Sequence, residues 1–126
     1  LIDLLKKNKN LLAVVSASPR EKLDKTVPKE FLEKFDAIIS EEDSTNGKPS
    51  PDPYLNAAEK LGVLPEECIV VENAPLGIKS AKSAGMYCIA ICSTLDESFL
   101  SEADEIIDKF EGLEKLETII RLIKND

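Results

Sequence analysis

The amino-acid sequence predicts an α/β fold built on a mostly parallel sheet. Short apolar runs alternate along the chain with amphipathic or capped segments, which is the pattern of that fold class. The runs are rich in Val, Ile and Ala without polar alternation, as in parallel strands that are covered on both faces. The 126 residues, 43% of them hydrophobic, fit one domain over residues 1–126. Strands are predicted at residues 11–16, 35–40, 68–72, 87–91 and 105–108.

Helix-start and helix-stop signals lie between these strands. Residues 18–21 (SPRE) have the form of a capping box, which predicts a helix directly after the first strand. A second helix is predicted to begin at Asp52 and to end at Gly62, and a third to run from Pro75 to Gly85. Amphipathic helices are predicted at the two ends of the chain, at residues 1–7 and 113–123.

Composition excludes several classes of function. Acidic residues outnumber basic ones by 24 to 16, and the net charge of −8 argues against nucleic-acid binding. No apolar run approaches the roughly 20 residues that cross a membrane, and the N-terminus lacks the order of a signal peptide. A soluble, cytoplasmic protein is therefore expected.

Histidine is absent from the chain. This removes triads that depend on histidine and most zinc sites. Any catalysis must use carboxylates, lysine, hydroxyl groups or a hard metal ion.

Polar residues follow three of the predicted strands, at the edge where open parallel sheets bind their ligands. Ser16 ends the first strand, Lys48 lies in the loop after the second, and Glu72 ends the third with Asn73 directly after it. A hydroxyl, an ammonium, a carboxylate and an amide can together hold a phosphoryl group and a hard cation. Each also has a plainer explanation, as a turn residue, a solvated loop charge or a strand-end cap.

Three segments resemble motifs of a known family. They are VVSAS at 14–18, GKPSPDPYLNAAEKLGV at 47–63 and CIVVENAPLGIKSAKSAGM at 68–86. They resemble motifs II, III and IV of the haloacid dehalogenase superfamily, closest to the subfamily of beta-phosphoglucomutase and related small-molecule phosphatases. The resemblance extends over nearly the whole chain from Leu11 to Asp108.

The resemblance implies a role for each polar residue at the sheet edge. Ser16 looks like the motif II hydroxyl that hydrogen-bonds the transferring phosphoryl group, with the backbone N–H of Ala17 beside it. Lys48 looks like the motif III lysine that offsets charge on the phosphoryl oxygens and on an aspartyl nucleophile. Glu72 and Asn73 occupy the motif IV positions that bind Mg²⁺. Such a cluster suits phosphoryl transfer.

Two departures from the family pattern matter. The D-x-D of motif I, which supplies the nucleophile and the general acid–base, is missing, and so is the cap domain that selects the substrate. Asp3 and Asp36 are no substitute, since one lies in a helical segment and the other begins a strand. Asn73 stands where aspartate is usual and brings no charge, so weak or no Mg²⁺ binding by the isolated chain is expected.

The implied fold is a three-layer α/β/α Rossmann-like core that lacks its N-terminal central strand. In the family the motif I strand lies between those predicted here at residues 11–16 and 68–72. Its absence would leave a gap of roughly 9.6 Å with unpaired backbone groups on both sides. The gap could be closed by direct pairing of its two edges, by a strand from a second copy in a homo-oligomer, or by a missing N-terminal segment.

The implied function is that of a phosphohydrolase or phosphomutase acting on a small phosphorylated metabolite, such as a sugar phosphate. The chain would be the C-terminal part of that enzyme and inactive alone, with the nucleophilic aspartate supplied from outside it. The alternative is a catalytically inactive remnant or an interaction module. A signal-receiver domain also has a parallel sheet, but it needs acidic residues where this chain has Ser16 and an aspartate where it has Glu72.

Overall fold

A computed structural model describes residues 1–92 and 97–108 of the chain. The helices are α1 (Ile2–Lys7), α2 (Arg20–Thr26), α3 (Lys29–Leu32), α4 (Asp52–Leu61) and α5 (Pro75–Ser83). The strands are β1 (Ala13–Val15), β2 (Ala37–Ile39), β3 (Ile69–Glu72), β4 (Tyr87–Cys92) and β5 (Glu105–Asp108). Short 3₁₀ helices lie at Glu41–Asp43, Pro65–Glu67 and Glu97–Leu100. No helix in the described ranges is both long and apolar enough to cross a membrane.

The strands form two parallel sheets, which confirms the predicted fold class. One sheet pairs β1 with β2, and Val14 lies opposite Ile38. The other has the order β3-β4-β5, and Val71 lies opposite Ile89. In the part of the chain that the structure describes, no ladder joins β1 to β3. Direct closure of the predicted gap is therefore not what the structure shows.

Helices α4 and α5 follow their sequence signals. Helix α4 begins at Asp52 and α5 at Pro75, as predicted. The chain leaves them through Gly62 and Gly85, whose φ angles of 71° and 79° lie in the left-handed region that favours glycine. Helix α1 confirms the predicted N-terminal helix, whereas the one predicted at 113–123 lies outside the described residues.

The predicted capping box at the start of α2 is wrong. Pro19 is the N-cap residue, and no side chain caps the helix from that position. The N–H of Arg20 instead donates to the two carboxylate oxygens of Glu42, at 3.2 and 3.1 Å. A carboxylate is a stronger acceptor than a hydroxyl and suits the positive end of the helix dipole. Glu42 thereby ties the loop after β1 to the loop after β2.

The β3-β4-β5 sheet is covered by apolar residues on both faces, as expected for parallel strands. On one face Cys88 and Ala90 of β4 pack against α4 and α5. On the other face Ile89 contacts Ile107, with Leu1 at the margin. Helix α4 also packs against β1 and β2. It therefore spans the two sheets, and side chains of α4 can reach the carboxyl end of β3.

Candidate active site

An ion pair between Lys48 and Glu72 lies at the carboxyl end of β3. Lys48 comes from the loop between β2 and α4, and its Nζ is 2.7 Å from Oε1 of Glu72. The side chains are 19% and 8% exposed, so water screens the pair little. The structure thus brings together two residues that lie 24 positions apart and that the sequence placed at the same sheet edge.

Tyr54 is a third member of this site that the sequence analysis did not identify. Its hydroxyl donates to Oε1 of Glu72 at 2.5 Å, and the ring lies 5.3 Å from Nζ of Lys48. Tyr54 is on the buried face of α4 together with Ala57 and Ala58. One signal could have identified it: a buried tyrosine needs a partner for its hydroxyl, and Tyr54 lies in the helix that was predicted to begin at Asp52.

The second carboxylate oxygen of Glu72 closes the turn between β3 and α5. Oε2 accepts hydrogen bonds from the N–H groups of Asn73 at 3.1 Å and of Ala74 at 3.4 Å. Ala74 is the N-cap residue of α5, and its side chain accepts no capping hydrogen bond. Glu72 therefore both stabilises the strand-end turn and holds Lys48, and its role in binding a metal ion or phosphate stays a prediction.

Burial and hydrogen bonding act in opposite directions on the pKa of Glu72. Burial raises the pKa of this carboxyl, but hydrogen bonds from Lys48 and Tyr54 outweigh it, and the pKa lies below its ordinary value. Burial, followed by the hydrogen bond to Glu72, raises the pKa of Tyr54 far above its ordinary value. At neutral pH Glu72 is therefore a carboxylate and Tyr54 a neutral hydrogen-bond donor.

Ser16 and Ala17 lie at the carboxyl end of β1, in the other sheet. The N–H of Ser16 donates to the carbonyl of Ile39 at 2.9 Å and so extends the pairing of β1 with β2. Its Oγ accepts a hydrogen bond from the N–H of Ser18 at 3.1 Å. The hydroxyl thus stabilises its own loop. Ser16 and the loop that carries Lys48 follow strands of the β1–β2 sheet, whereas Glu72 ends β3 in the other sheet.

The residues at β3 can supply part of a magnesium site. Carboxylate and amide oxygens are suitable ligands, and Asn73, beside Glu72, is exposed. Within residues 1–92 and 97–108, however, no three His, Cys, Asp or Glu side chains are grouped to hold a metal ion. The carboxylate of Glu72 already accepts four hydrogen bonds, so an ion bound there would replace or share one of them.

Comparison with known proteins identifies relatives of the chain. Residues 1–91 match the family model described as haloacid dehalogenase-like hydrolase. The chain is 35% identical over 108 residues to validoxylamine A 7'-phosphate phosphatase of Streptomyces hygroscopicus subsp. limoneus, covering 85% of this chain and 51% of that protein. It is 44% identical over 100 residues to SUPPRESSOR OF QUENCHING 1 of Arabidopsis thaliana, covering 77% of this chain and 10% of that protein.

Solved structures share the fold. A beta-phosphoglucomutase from Clostridium difficile superposes with a TM-score of 0.74 at 28% identity, covering 94% of this chain and 55% of the other. CbbY from Rhodobacter sphaeroides, solved in complex with phosphate, superposes with a TM-score of 0.73 at 30% identity, covering 85% of this chain and 50% of the other. The chain spans about half the length of these two structures.

Proposed function

Since the chain belongs to the haloacid dehalogenase-like hydrolase family, we propose that it supplies the phosphate-binding and metal-binding part of an enzyme that acts on small phosphomonoesters. The enzyme would be a phosphohydrolase or a phosphomutase that works through an aspartyl-phosphate intermediate. Its nucleophilic aspartate would come from outside these 126 residues. Sugar phosphates are the proposed substrate class.

The buried Lys48–Glu72 ion pair is the observation that carries this proposal. Removing two charges from water costs several kcal/mol per ion, so a buried pair is a poor way to gain stability. A lysine fixed beside a carboxylate at the ligand-binding edge of a parallel sheet is, in contrast, what a phosphoryl-transfer site requires. The ammonium offsets charge on the phosphoryl oxygens, and the carboxylate can hold a cation.

Relatives support the substrate class. The validoxylamine A 7'-phosphate phosphatase is named for a phosphate ester, and the hexitol phosphatase A of Escherichia coli is named for a phosphorylated sugar alcohol. CbbY was solved with phosphate and, as a mutant, with xylulose-(1,5)bisphosphate. A small phosphorylated metabolite is therefore the proposed partner.

The separation of the two sheets supports an external nucleophile. Within the described residues β1 pairs only with β2, and β3 only with β4, so each has a free edge that could accept a strand. Asp3 lies in α1. The carboxylate of Asp36 accepts the N–H of Leu12 at 2.8 Å, so it is engaged before the first residues of β1 and β2 and not at the end of β3. We propose that a strand bearing the nucleophile inserts between β1 and β3.

Magnesium is the proposed cofactor, held in part by Glu72 and Asn73. When bound, it would neutralise charge on the phosphoryl oxygens. Ser16 would hydrogen-bond the phosphoryl group, and the backbone N–H of Ala17 would do the same. These assignments follow from the resemblance. Ser16 and Glu72 lie at the ends of strands in different sheets, between which the additional strand would insert.

A complementation assay tests the proposal. The chain is assayed for Mg²⁺-dependent hydrolysis of an aryl phosphate, alone and with the N-terminal segment of the parent gene. Hydrolysis is expected only in the complemented sample. Hydrolysis by the pure chain would show that the nucleophile lies within it, and a complemented but inactive protein would favour the inactive remnant. Sedimentation of the pure chain measures its oligomeric state, and an oligomer would indicate that a second copy donates the strand.

Site variants then test the assignment in the active sample. Lys48→Ala and Ser16→Ala are each expected to lower kcat/KM by about 100-fold or more, since each removes a group that contacts the phosphoryl group. Lys79→Ala and Ser83→Ala make the same changes at exposed positions of α5 and serve as controls. The assignment fails if the site variants resemble these controls.

A further inference from the structure

Ser80 is a fully buried polar residue on α5 that the family comparison and the sequence analysis left without a role. Its exposed fraction is 0%, and its Oγ donates to the carbonyl oxygen of Ser50 at 2.5 Å. The two residues lie 30 positions apart. This hydrogen bond therefore fixes a loop to a helix that is distant in sequence.

Ser50 is the residue that organises the Lys48 loop. Its N–H donates to the carbonyl of Gly47 at 2.9 Å, which closes a turn around Lys48 and Pro49. Its Oγ accepts a hydrogen bond at 3.2 Å from the N–H of Asp52, which is the first residue of α4. With its carbonyl bound to Ser80, all the polar groups of Ser50 have partners. The turn that carries Lys48 is thus closed by Ser50 and held at its Ser50 end.

Helix α5 contacts Glu72 and the turn that carries Lys48 through one face. Gly77 and Ser80 are three residues apart and both buried, so they lie on the same side of the helix. Gly77 packs its backbone against the carboxylate of Glu72, and Ser80 anchors the turn that carries Lys48. One helix therefore contacts the carboxylate directly and the turn that carries the ammonium through Ser50.

We propose that Ser80 is a positioning residue that sets the location of the Lys48 ammonium through Ser50. It contacts neither substrate nor reacting atoms. The proposal rests on the proposed function for the role of Lys48, but the anchoring itself does not depend on it. Alanine would suit a buried helical position better than serine, because it has the higher helix propensity and no hydroxyl to desolvate. The hydroxyl at position 80 is explained by its bond to Ser50.

Hydrogen exchange tests the anchoring in the chain by itself. Ser80→Ala removes the donor and leaves the packing nearly unchanged, so the Ser50 N–H is expected to exchange about tenfold faster or more. Ser83→Ala makes the same change on the exposed side of α5 and should leave that rate unaltered. Ile78→Val destabilises the buried face of the same helix but leaves the Ser80–Ser50 hydrogen bond in place. It therefore shows how much of any change in the exchange rate comes from a loss of global stability. An unchanged Ser50 rate in Ser80→Ala, relative to these controls, overturns the proposal.

A double-mutant cycle tests the functional consequence in the complemented enzyme. Ser80→Ala alone is expected to lower kcat/KM about tenfold, because small displacements of a catalytic group are costly. In the Lys48→Ala background it should change kcat/KM by less than about twofold, since Ser80 acts through Lys48. The proposal is overturned if the effects of Ser80→Ala and Lys48→Ala on kcat/KM are fully additive. It is also overturned if the kcat/KM of Ser80→Ala alone is within twofold of that of the unaltered protein. If the complemented protein hydrolyses no phosphate ester, the proposed function fails, and hydrogen exchange alone decides whether Ser80 anchors the loop.

Discussion

The carboxylate of Glu72 lies directly against the backbone of Gly77, in the first turn of α5. A Cβ atom at position 77 would overlap the carboxylate carbon and both of its oxygens. The close approach explains why a helix interior contains a residue that disfavours helices by about 1 kcal/mol relative to alanine. Glycine at this position leaves the space in which Glu72 meets Lys48 and Tyr54.

Gly77→Ala is expected to displace the Glu72 side chain and to separate it from Lys48. Overpacking of this kind costs about 1 to 3 kcal/mol, which exceeds the gain in helix propensity. Urea unfolding should therefore show a less stable protein. Gly47→Ala is the matched control, because nothing lies within 4 Å of a Cβ there. A Gly77→Ala protein as stable as the unaltered chain would show that Glu72 has room to move.

Lys48→Met tests the electrostatics of the pair. The ammonium helps to hold the pKa of Glu72 below its ordinary value, although burial, the largest influence, raises it. A lowered pKa adds stability at pH values above about 4.5 and loses it as the carboxylate is protonated below that. The variant should lose about 3 to 5 kcal/mol at pH 7, and the deficit should be smaller at about pH 3.5, because protonation of Glu72 removes its need for a cation.

The control for this experiment is Lys60→Met. Lys60 pairs with Asp43 at 3.7 Å, and both side chains are substantially exposed, so its removal should cost less than about 1 kcal/mol. Denaturant unfolding at the two pH values gives both results. An equal cost for the two lysines, or a Lys48→Met deficit that does not change with pH, would contradict the buried-pair explanation.

Tyr54→Phe removes one hydroxyl and keeps the ring. Its hydrogen bond to the charged Glu72 should contribute about 1 to 2 kcal/mol, measured as a lower urea midpoint at unchanged m value. Tyr87→Phe is the control, because that hydroxyl lies 3.4 Å from Glu105 in an exposed setting and should contribute little. Equal effects of the two substitutions would indicate that the Tyr54 hydroxyl is replaceable by water.

Features that local chemistry determines were predictable from the sequence. Helix α4 has its signals, Asp52 and Gly62, within its own segment, and the same is true of Pro75 and Gly85 around α5. The strands were placed correctly but are shorter at several ends, since pairing and not composition decides where a strand stops. The parallel fold class follows from the same local patterns and is confirmed.

Features that depend on long-range contacts were not predictable. Arg20 is capped by Glu42, 22 positions away, where the local pattern favoured Ser18. Tyr54 reaches Glu72 across 18 positions, and the sequence signals placed it only within the helix that begins at Asp52. The sequence therefore identified the charged members of the site by their place at strand ends, but not the neutral residues that hold them.

Asn73→Asp tests the metal-binding half of the site. Asn73 is exposed beside Glu72 and stands where the family usually has aspartate. An added carboxylate supplies the charge that a hard cation requires, whereas Glu72 alone already accepts four hydrogen bonds. Mg²⁺ should therefore bind about five- to tenfold more tightly to the variant than to the unaltered chain in isothermal titration calorimetry.

Asn8→Asp separates this local effect from the general effect of net charge. Asn8 is also exposed but lies after α1, so it adds the same charge away from β3. It should leave Mg²⁺ affinity unchanged, because screening at physiological ionic strength limits charge effects to about 8 Å. Equal gains from the two substitutions would mean that position 73 is not a ligand position. A gain confined to Asn73→Asp would place the cation at the turn between β3 and α5, where the carboxylate of Glu72 is held.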